Sequence, residues 1–174
     1  MEKVATIVLP GTKFFKKLTV KTVFFILGRS LASASKFEPR IRREVASWEE
    51  GFSIMMKVLP SGPCLGWKKE NGTLIYMGSK LKKAELIINF KNLTSAFLLM
   101  TPQVGVAEGF AQHRMTVIGD LAKSISFNRC LNILLPYLYP DFICKRLLKE
   151  IPEMKYERFY RMMYLYLIGI PLGL

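Results

Sequence analysis

Residues 84–119 decide the fold that this sequence predicts, because two strand patterns there enclose two short helical ones. Residues 84–90 read Ala-Glu-Leu-Ile-Ile-Asn-Phe, an alternation typical of a strand that buries one face. From Leu93 to Met100 the apolar spacing becomes helical, and a second short helical stretch follows at 104–110. Residues 115–118 alternate again before Gly119. Strand, two helices and strand predict a layered α+β unit with its helices on one face of the sheet.

The segments before this unit predict a helix and a hairpin. Two strand-like runs, at 65–67 and 73–77, flank Asn71-Gly72, a pair typical of a tight hairpin turn. Residues 39–59 carry apolar side chains every three or four positions, which predicts one long helix with a proline in its first turn. Its apolar face would pack as core or line a ligand cavity. That face comprises Ile41, Val45, Trp48, Phe52, Met55 and Leu59.

The segment after the unit predicts an amphipathic helix that begins at Leu121 and breaks at Pro136 and Pro140. With this helix added, the predicted fold class is α+β. We expect a mainly antiparallel sheet of about five strands, covered on one face by helices, with helical extensions at both ends of the chain.

Composition divides the chain into three units: a basic amphipathic arm over 1–36, a central domain over 37–140 and a helical extension over 141–174. The order of residues in the arm imitates a secretory signal, but its apolar part is shorter than the roughly 7–15 residues of such signals. The arm therefore either packs onto the domain or lies in a membrane interface. The apolar side chains available for either role are Phe14, Phe15, Phe24, Phe25 and Leu27.

The end of the extension interleaves tyrosines with apolar residues. Such side chains have an apolar body and a polar tip, which favours interfaces with lipid or with protein. We expect this tail to cover a cavity mouth, dock on a membrane or bind a protein partner through Tyr156–Leu174.

The charge restricts the partners. A formal net charge of +13, with Lys68-Lys69 among its basic clusters, attracts nucleic acid, anionic lipid headgroups or an anionic ligand. The basic residues are spread over arm, helix and loops, and the predicted strand at 115–118 offers no aromatic side chains for base stacking, which argues against nucleic acid. Mean hydropathy is +0.22, yet no run reaches the roughly 20 apolar residues that span a bilayer.

The titratable residues predict a protein without enzyme activity, metal or cofactor. Cys64, Cys130 and Cys144 are widely spaced, which argues against a disulfide scaffold and indicates a reducing compartment, the cytoplasm. His113 is the single histidine, too few for a zinc cluster. No phosphate-binding loop or Gly-x-Ser-x-Gly elbow occurs. A Cys130–His113 couple is the catalytic alternative, but no orienting acid accompanies it.

A family resemblance accompanies these patterns. The run Phe110-Ala-Gln-His-Arg-Met-Thr-Val-Ile-Gly-Asp120 resembles the sterol carrier protein family, whose members carry Phe-x-Gln-Gly-basic-apolar-x-apolar-x-Gly-Asp/Asn. The strand at 84–90, the Ala96-Phe-Leu-Leu-Met100 helix and the helix from Leu121 resemble neighbouring parts of that family. The match covers residues 37–140, and His113 takes the place of the family's usual glycine.

The resemblance implies a tunnel between sheet and helices that holds a fatty acyl, sterol or isoprenoid lipid without catalysis. Carried over onto this sequence, the implied ligand-binding residues are Phe97, Met100, Val106, Phe110, Met115, Val117, Leu131 and Leu134. Each of them would equally serve as ordinary core.

The basic exterior predicts peripheral docking on anionic membranes, with Lys13, Lys16, Lys17 and Lys21 as the docking residues. The alternative function is a scaffold or accessory subunit of a lipid or quinone biosynthesis complex, held by its apolar terminal helices.

Overall fold

The computed structural model of the chain describes residues 10–101, 103–139, 160 and 162–172. The helices are α1 (Pro10–Phe37), α2 (Pro39–Ala46), α3 (Leu93–Met100), α4 (Val106–Ala111) and α5 (Leu121–Leu138). The strands are β1 (Ser53–Val58), β2 (Cys64–Glu70), β3 (Thr73–Gly78), β4 (Leu86–Phe90) and β5 (Met115–Ile118). The C-terminal segment, defined as residues 160 and 162–172, contains a π-helical turn, Leu165–Gly169, and a last turn, Ile170–Leu172. Residues 141–159, the first part of the predicted extension, lie outside the described residues.

The strands form one five-stranded sheet in the order β3-β2-β1-β4-β5. β1 and β4 are parallel, and the other neighbours are antiparallel. The predicted α+β class with a mainly antiparallel sheet is therefore confirmed. The Asn71-Gly72 hairpin is also present, with positive φ at both residues (52° and 73°), as a type I′ turn requires.

The connection from β3 to β4 crosses the sheet face that lies away from the helices. β3 runs in the same direction as β4 but is separated from it by β2 and β1, so residues 79–85 must pass over those two strands. Leu81 lies against Gly66 of β2, where an added Cβ would overlap its side chain. The Glu85 carboxylate then accepts hydrogen bonds from the backbone N–H (2.7 Å) and hydroxyl of Ser53. This face of the sheet is therefore covered in part by loop.

The prediction of one helix over 39–59 was wrong in its second half. Helix α2 ends at Ala46, and residues 53–58 form the central strand β1. Ile54, Met55 and Met56 are all buried, because β1 is covered on both faces by helices and loop. A strand buried on both faces reads as a continuous apolar run instead of an alternation, and that run also fits helical spacing. Gly51 separates the two elements with φ +84°.

Helix α1 packs against the face of the sheet opposite to that loop. Val20, Phe24, Leu27 and Leu31 recur every three or four residues and are buried, as one face of a helix should be. The Phe24 ring lies 6.0 Å from the Phe90 ring of β4. The arm predicted over 1–36 thus supplies core side chains, while the division of the chain at residues 36 and 140 stays a prediction.

Helix α5 begins as predicted but continues past Pro136. The Asp120 side chain caps its first turn by accepting hydrogen bonds from the N–H groups of Ala122 (2.7 Å) and Lys123 (3.3 Å). Pro136 lies in the last turn of the helix, which ends at Leu138. A proline so near the end interrupts little of the hydrogen-bond ladder, and the predicted break at Pro136 was wrong.

Candidate functional site

The eight predicted ligand-binding residues lie on α3, α4, β5 and α5. Helix α4 packs on α3, where Gly109 is small enough to meet the Leu99 side chain, and it also contacts β5. Two of the eight, Met115 and Leu134, are buried in the core. Phe97, Met100, Val117 and Leu131 are partly buried and pack against the core. Whether any of the eight contacts a ligand stays a prediction.

The other two predicted residues form an exposed apolar pair on α4. Val106 and Phe110 are one helical turn apart, and their side chains are 44% and 53% exposed. Gly109, between them in sequence, is buried against the Leu99 side chain of α3. The Val106 and Phe110 side chains therefore stand at the surface, where a molecule from outside can reach them without opening the core.

The turn after α4 retains a glycine-like backbone although it carries histidine. His113 has φ +52°, the left-handed region that glycine adopts at no steric cost. Its N–H donates to the Phe110 carbonyl (3.0 Å), and the Arg114 N–H donates to the Gly109 carbonyl (2.9 Å). This pair of bonds is the usual way of closing a helix with a left-handed residue. His113 thus occupies a backbone conformation that favours glycine.

The N-terminal half of α1 presents lysines and exposed aromatic side chains beside α3. The sequence left open whether the apolar residues of the arm pack onto the domain. Phe24 and Leu27 do enter the core, whereas Phe14 and Phe15 are 65% and 70% exposed. Lys13, Lys17 and Lys21 are exposed and Lys16 is half-buried. The Lys16 ammonium lies 5.8 Å from the centre of the Phe97 ring on α3, within the range of a cation–π contact. A predicted docking lysine thus lies on a predicted ligand-binding residue.

The buried carboxylate of Glu38 connects α1, α2 and α5, and the sequence did not predict this contact. Glu38 caps α2, and its Oε2 atom accepts a hydrogen bond from the Tyr137 hydroxyl (2.8 Å) while Oε1 accepts one from Arg40 Nε (3.1 Å). Burial raises the pKa of Glu38, but the hydrogen bonds from Tyr137 and Arg40 outweigh burial and leave the pKa below its ordinary value. Glu38 is therefore a charged group with a structural role, since its hydrogen bonds link neighbouring helices. Its one sequence signal was a glutamate directly before the helix-starting Pro39.

The side chains of Lys68 and Lys69, adjacent residues of β2, lie on opposite faces of the sheet. Lys69 is buried, and its ammonium donates to the carbonyl of Trp48 (2.6 Å) and lies 3.5 Å from the Glu50 carboxylate. Lys68 stays near the surface, paired with Glu70 at 2.9 Å. Lys69 is therefore engaged inside the protein and adds nothing to a surface that could attract an anion.

Cys130 and His113 occupy different environments. Cys130 is buried on α5, and burial raises the pKa of its thiol to about 12, so almost none of the reactive thiolate forms near neutral pH. His113 is exposed in the turn after α4. Among the described residues, no three His, Cys, Asp or Glu side chains are grouped so as to hold a metal ion.

None of the helices described here combines the length and the apolar character needed to cross a bilayer. The sequence matches no protein-family model, and comparison with curated proteins finds no match either.

One solved structure shares the arrangement of strands and helices in part. It is a solution structure of a conserved hypothetical protein of Thermus thermophilus, which has been suggested to be a sterol carrier protein. The similarity covers 75% of this chain and 90% of that protein, with 11% sequence identity and a TM-score of 0.44. Likeness at this level is too distant to transfer a function. The structure of this chain is an α+β fold with a five-stranded, mostly antiparallel sheet.

Proposed function

We propose that this protein binds a hydrophobic ligand, a fatty acyl, sterol or isoprenoid lipid, without catalysis, and exchanges it at anionic membrane surfaces. The ligand would contact the apolar residues of α3, α4, β5 and α5. The N-terminal half of α1, with Lys13, Lys16, Lys17 and Lys21, would dock on the membrane.

The contact between Lys16 and Phe97 carries this proposal. It joins the docking helix α1 to the ligand-binding helix α3, with 5.8 Å between the Lys16 ammonium and the ring centre. A carrier needs its docking surface to lie next to its ligand site, because a lipid that leaves a membrane must enter the protein close to the docked surface. The exposed Val106 and Phe110 on α4, which packs against α3, lie on that route.

The energetics favour transfer without chemistry. Removing a methylene group from water gains about 0.8 kcal/mol, so a long hydrocarbon chain supplies ample affinity on its own. Lysines near an anionic surface contribute on the order of 1 kcal/mol each. The proposal therefore requires apolar contacts for affinity and positive charge for delivery, and no reactive group.

Binding of the ligand is tested by extracting the purified protein with organic solvent and analysing the extract by mass spectrometry. We expect one lipid per protein after production in lipid-rich cells. Purified protein is then titrated with a fluorescent fatty acid. Phe110→Ala should weaken binding about threefold to tenfold, because a large exposed apolar contact is lost.

The matched control is Ile118→Ala, since Ile118 is 57% exposed and alternates with the inward-facing Val117 on β5. It should bind the probe as the unaltered protein does. An extract free of lipid, together with no binding of the fluorescent fatty acid, would overturn the proposal.

A second candidate is a scaffold or accessory subunit of a lipid or quinone biosynthesis complex. The exposed apolar and tyrosine side chains of the C-terminal segment favour it, because such surfaces are typical of protein interfaces. A lipid-free protein that co-purifies with one stoichiometric partner would support this candidate over the carrier.

A further inference from the structure

We infer that the C-terminal segment is the second half of the membrane-docking surface, held against α1 by Arg29. This inference rests on the proposed docking of α1 and adds a surface from the opposite end of the chain. Its partner is the interface of an anionic lipid bilayer.

The first observation is an exposed apolar stripe on the side of α1 opposite its buried residues; at Phe25 this stripe also packs edge-on against the Tyr76 ring of β3 (6.4 Å). We define the outer stripe as Phe14, Phe15, Leu18 and Phe25, all of which are exposed. The buried residues Val20, Phe24, Leu27 and Leu31 occupy the other side of the helix. Leu18, Phe25 and Arg29 are seven and four residues apart, so they fall on one line along the helix.

The second observation is that the C-terminal segment continues this line. The Arg29 guanidinium stacks 4.6 Å from the centre of the Phe25 ring. Its Nη1 atom donates to the carbonyl oxygens of Ile170 (2.8 Å) and Pro171 (2.7 Å). A cation at the last carbonyls of a helical segment is favourable, because those groups carry partial negative charge. Arg29 therefore joins the end of the outer stripe to the end of the segment.

From Arg29 the segment runs back along α1 toward its C-terminal end. The Tyr164 ring packs edge-on against Phe37 at 5.5 Å, and the Tyr166 hydroxyl donates to the carbonyl of Leu138 (2.6 Å) at the end of α5. Gly169 is buried on the inner side. The segment thus packs along α1 from the point where the outer stripe ends, and several of its own side chains stay exposed.

These exposed side chains suit the interface of a bilayer. Leu167 is 64% exposed, and Met163, Tyr164 and Tyr166 are also exposed. Tyrosines are enriched at the level of lipid headgroups, where their apolar rings are buried. Lys17 and Lys21, which are three or four residues from Phe14, Leu18 and Phe25 and so border the outer stripe, complement the charge of an anionic membrane. Stripe and segment together form one long apolar surface with a basic border, which fits a lipid interface better than a small groove on a protein.

The test is flotation of the intact protein with vesicles of phosphatidylcholine and phosphatidylserine at low salt. The variants are Leu167→Gln with Met163→Gln, Phe14→Gln with Leu18→Gln, and Ile118→Gln as the control on the other side of the molecule. Because all of these side chains are exposed, thermal unfolding should be unchanged. We expect the Leu167/Met163 variant to partition about fivefold more weakly, since two interfacial apolar side chains are lost, and the control to be unaffected.

The outcomes separate this inference from the proposed function. If the Phe14/Leu18 variant loses binding while the Leu167/Met163 variant keeps it, docking by α1 stands and the role of the C-terminal segment is overturned. If neither variant changes the partitioning, docking itself is refuted. Sedimentation is measured in parallel. If the unaltered protein is a dimer and the Leu167/Met163 variant is a monomer, the segment serves self-association and the inference is overturned.

Discussion

The two halves of helix α1 differ sharply in burial. In the C-terminal half, residues 30–35 are small or apolar and are all buried. In the N-terminal half, residues 13–18 are lysines, phenylalanines and a leucine, and five of the six are exposed. A continuous helix therefore serves as a core element at one end and presents an apolar, basic surface at the other. Helical spacing alone does not distinguish the halves; the size of the side chains does.

Small residues let the buried half approach its neighbours closely. An added Cβ at Gly28 would overlap the Tyr76 ring of β3, and the Gly28 carbonyl accepts a hydrogen bond from Trp67 Nε1 at 2.8 Å. Close packing of this kind makes stability sensitive to small changes in volume. The exposed side chains of the N-terminal half, such as Phe14, Phe15 and Leu18, are not packed in this way, so changes to them should act on binding and leave the stability of the fold intact.

The largest expected effect is a difference in stability between variants of two leucines of this helix. Leu31 is fully buried, whereas Leu18 is 51% exposed. Leu31→Ala should lower the free energy of unfolding by about 3 kcal/mol, because it removes apolar contacts and leaves a cavity. Leu18→Ala should change it by less than about 0.5 kcal/mol. Urea unfolding of both variants measures the difference, and equal losses would break the distinction between the halves.

The second prediction uses cysteine labelling to map the halves. In a background where Cys64 and Cys144 are replaced by serine, Leu18→Cys should react with a disulfide reagent at pH 8 about a hundredfold faster than Ser33→Cys, because only an exposed thiolate reacts. Cys130, whose pKa burial raises to about 12, serves as an internal buried reference. Fast labelling at position 33 would show that the C-terminal half of α1 opens readily.

The third prediction adds volume where the helix approaches β3. Gly28→Val should destabilise the protein by about 2 kcal/mol, because the new side chain displaces the Tyr76 ring. Thr22→Val, at an exposed position earlier on the same helix, is the matched control and should have little effect. Thermal unfolding followed by circular dichroism compares them, and an unaffected Gly28→Val protein would contradict the close packing.

The smallest prediction concerns the carboxylate at the end of the buried half. Because the folded pKa of Glu38 lies below its ordinary value of 4.5, its contribution is present above about pH 4.5 and is lost as the pH falls through the folded pKa. Tyr137→Phe should cost about 1 kcal/mol at pH 7. In the variant, the free energy of unfolding measured with urea should also fall less steeply as the pH is lowered. A fall as steep as that of the unaltered protein would refute the role of this hydrogen bond.

The sequence predicted the parts of the fold whose patterns are local. The alternation at 84–90, the Asn71-Gly72 turn and the apolar spacing of α3 and α4 each specify a structure from neighbouring residues. β1 was missed because a strand buried on both faces shows no alternation. Lys69 was grouped with surface charge because its partner carbonyl, that of Trp48, is distant in sequence.

The candidate site depends on long-range contacts that no local pattern encodes. The sequence identified the docking lysines and the apolar residues of α3 separately, but not that Lys16 lies over Phe97. It left open whether the aromatic residues of α1 pack or face outward, and the structure divides them: Phe24 packs, while Phe14 and Phe15 face outward. The contact of Arg29 with Ile170 and Pro171 joins opposite ends of the chain and has no signal in the sequence.

The most direct test of membrane docking by the exposed half of α1 is the fluorescence of a Phe14→Trp variant. The natural Trp48 and Trp67 are buried and should resist quenching by brominated lipids. We predict that the emission of the introduced indole shifts to shorter wavelength and is quenched in anionic vesicles at low salt. High salt should reverse both changes, because it screens the lysines. A folded variant whose introduced indole emits in the same way with and without anionic vesicles would contradict the account.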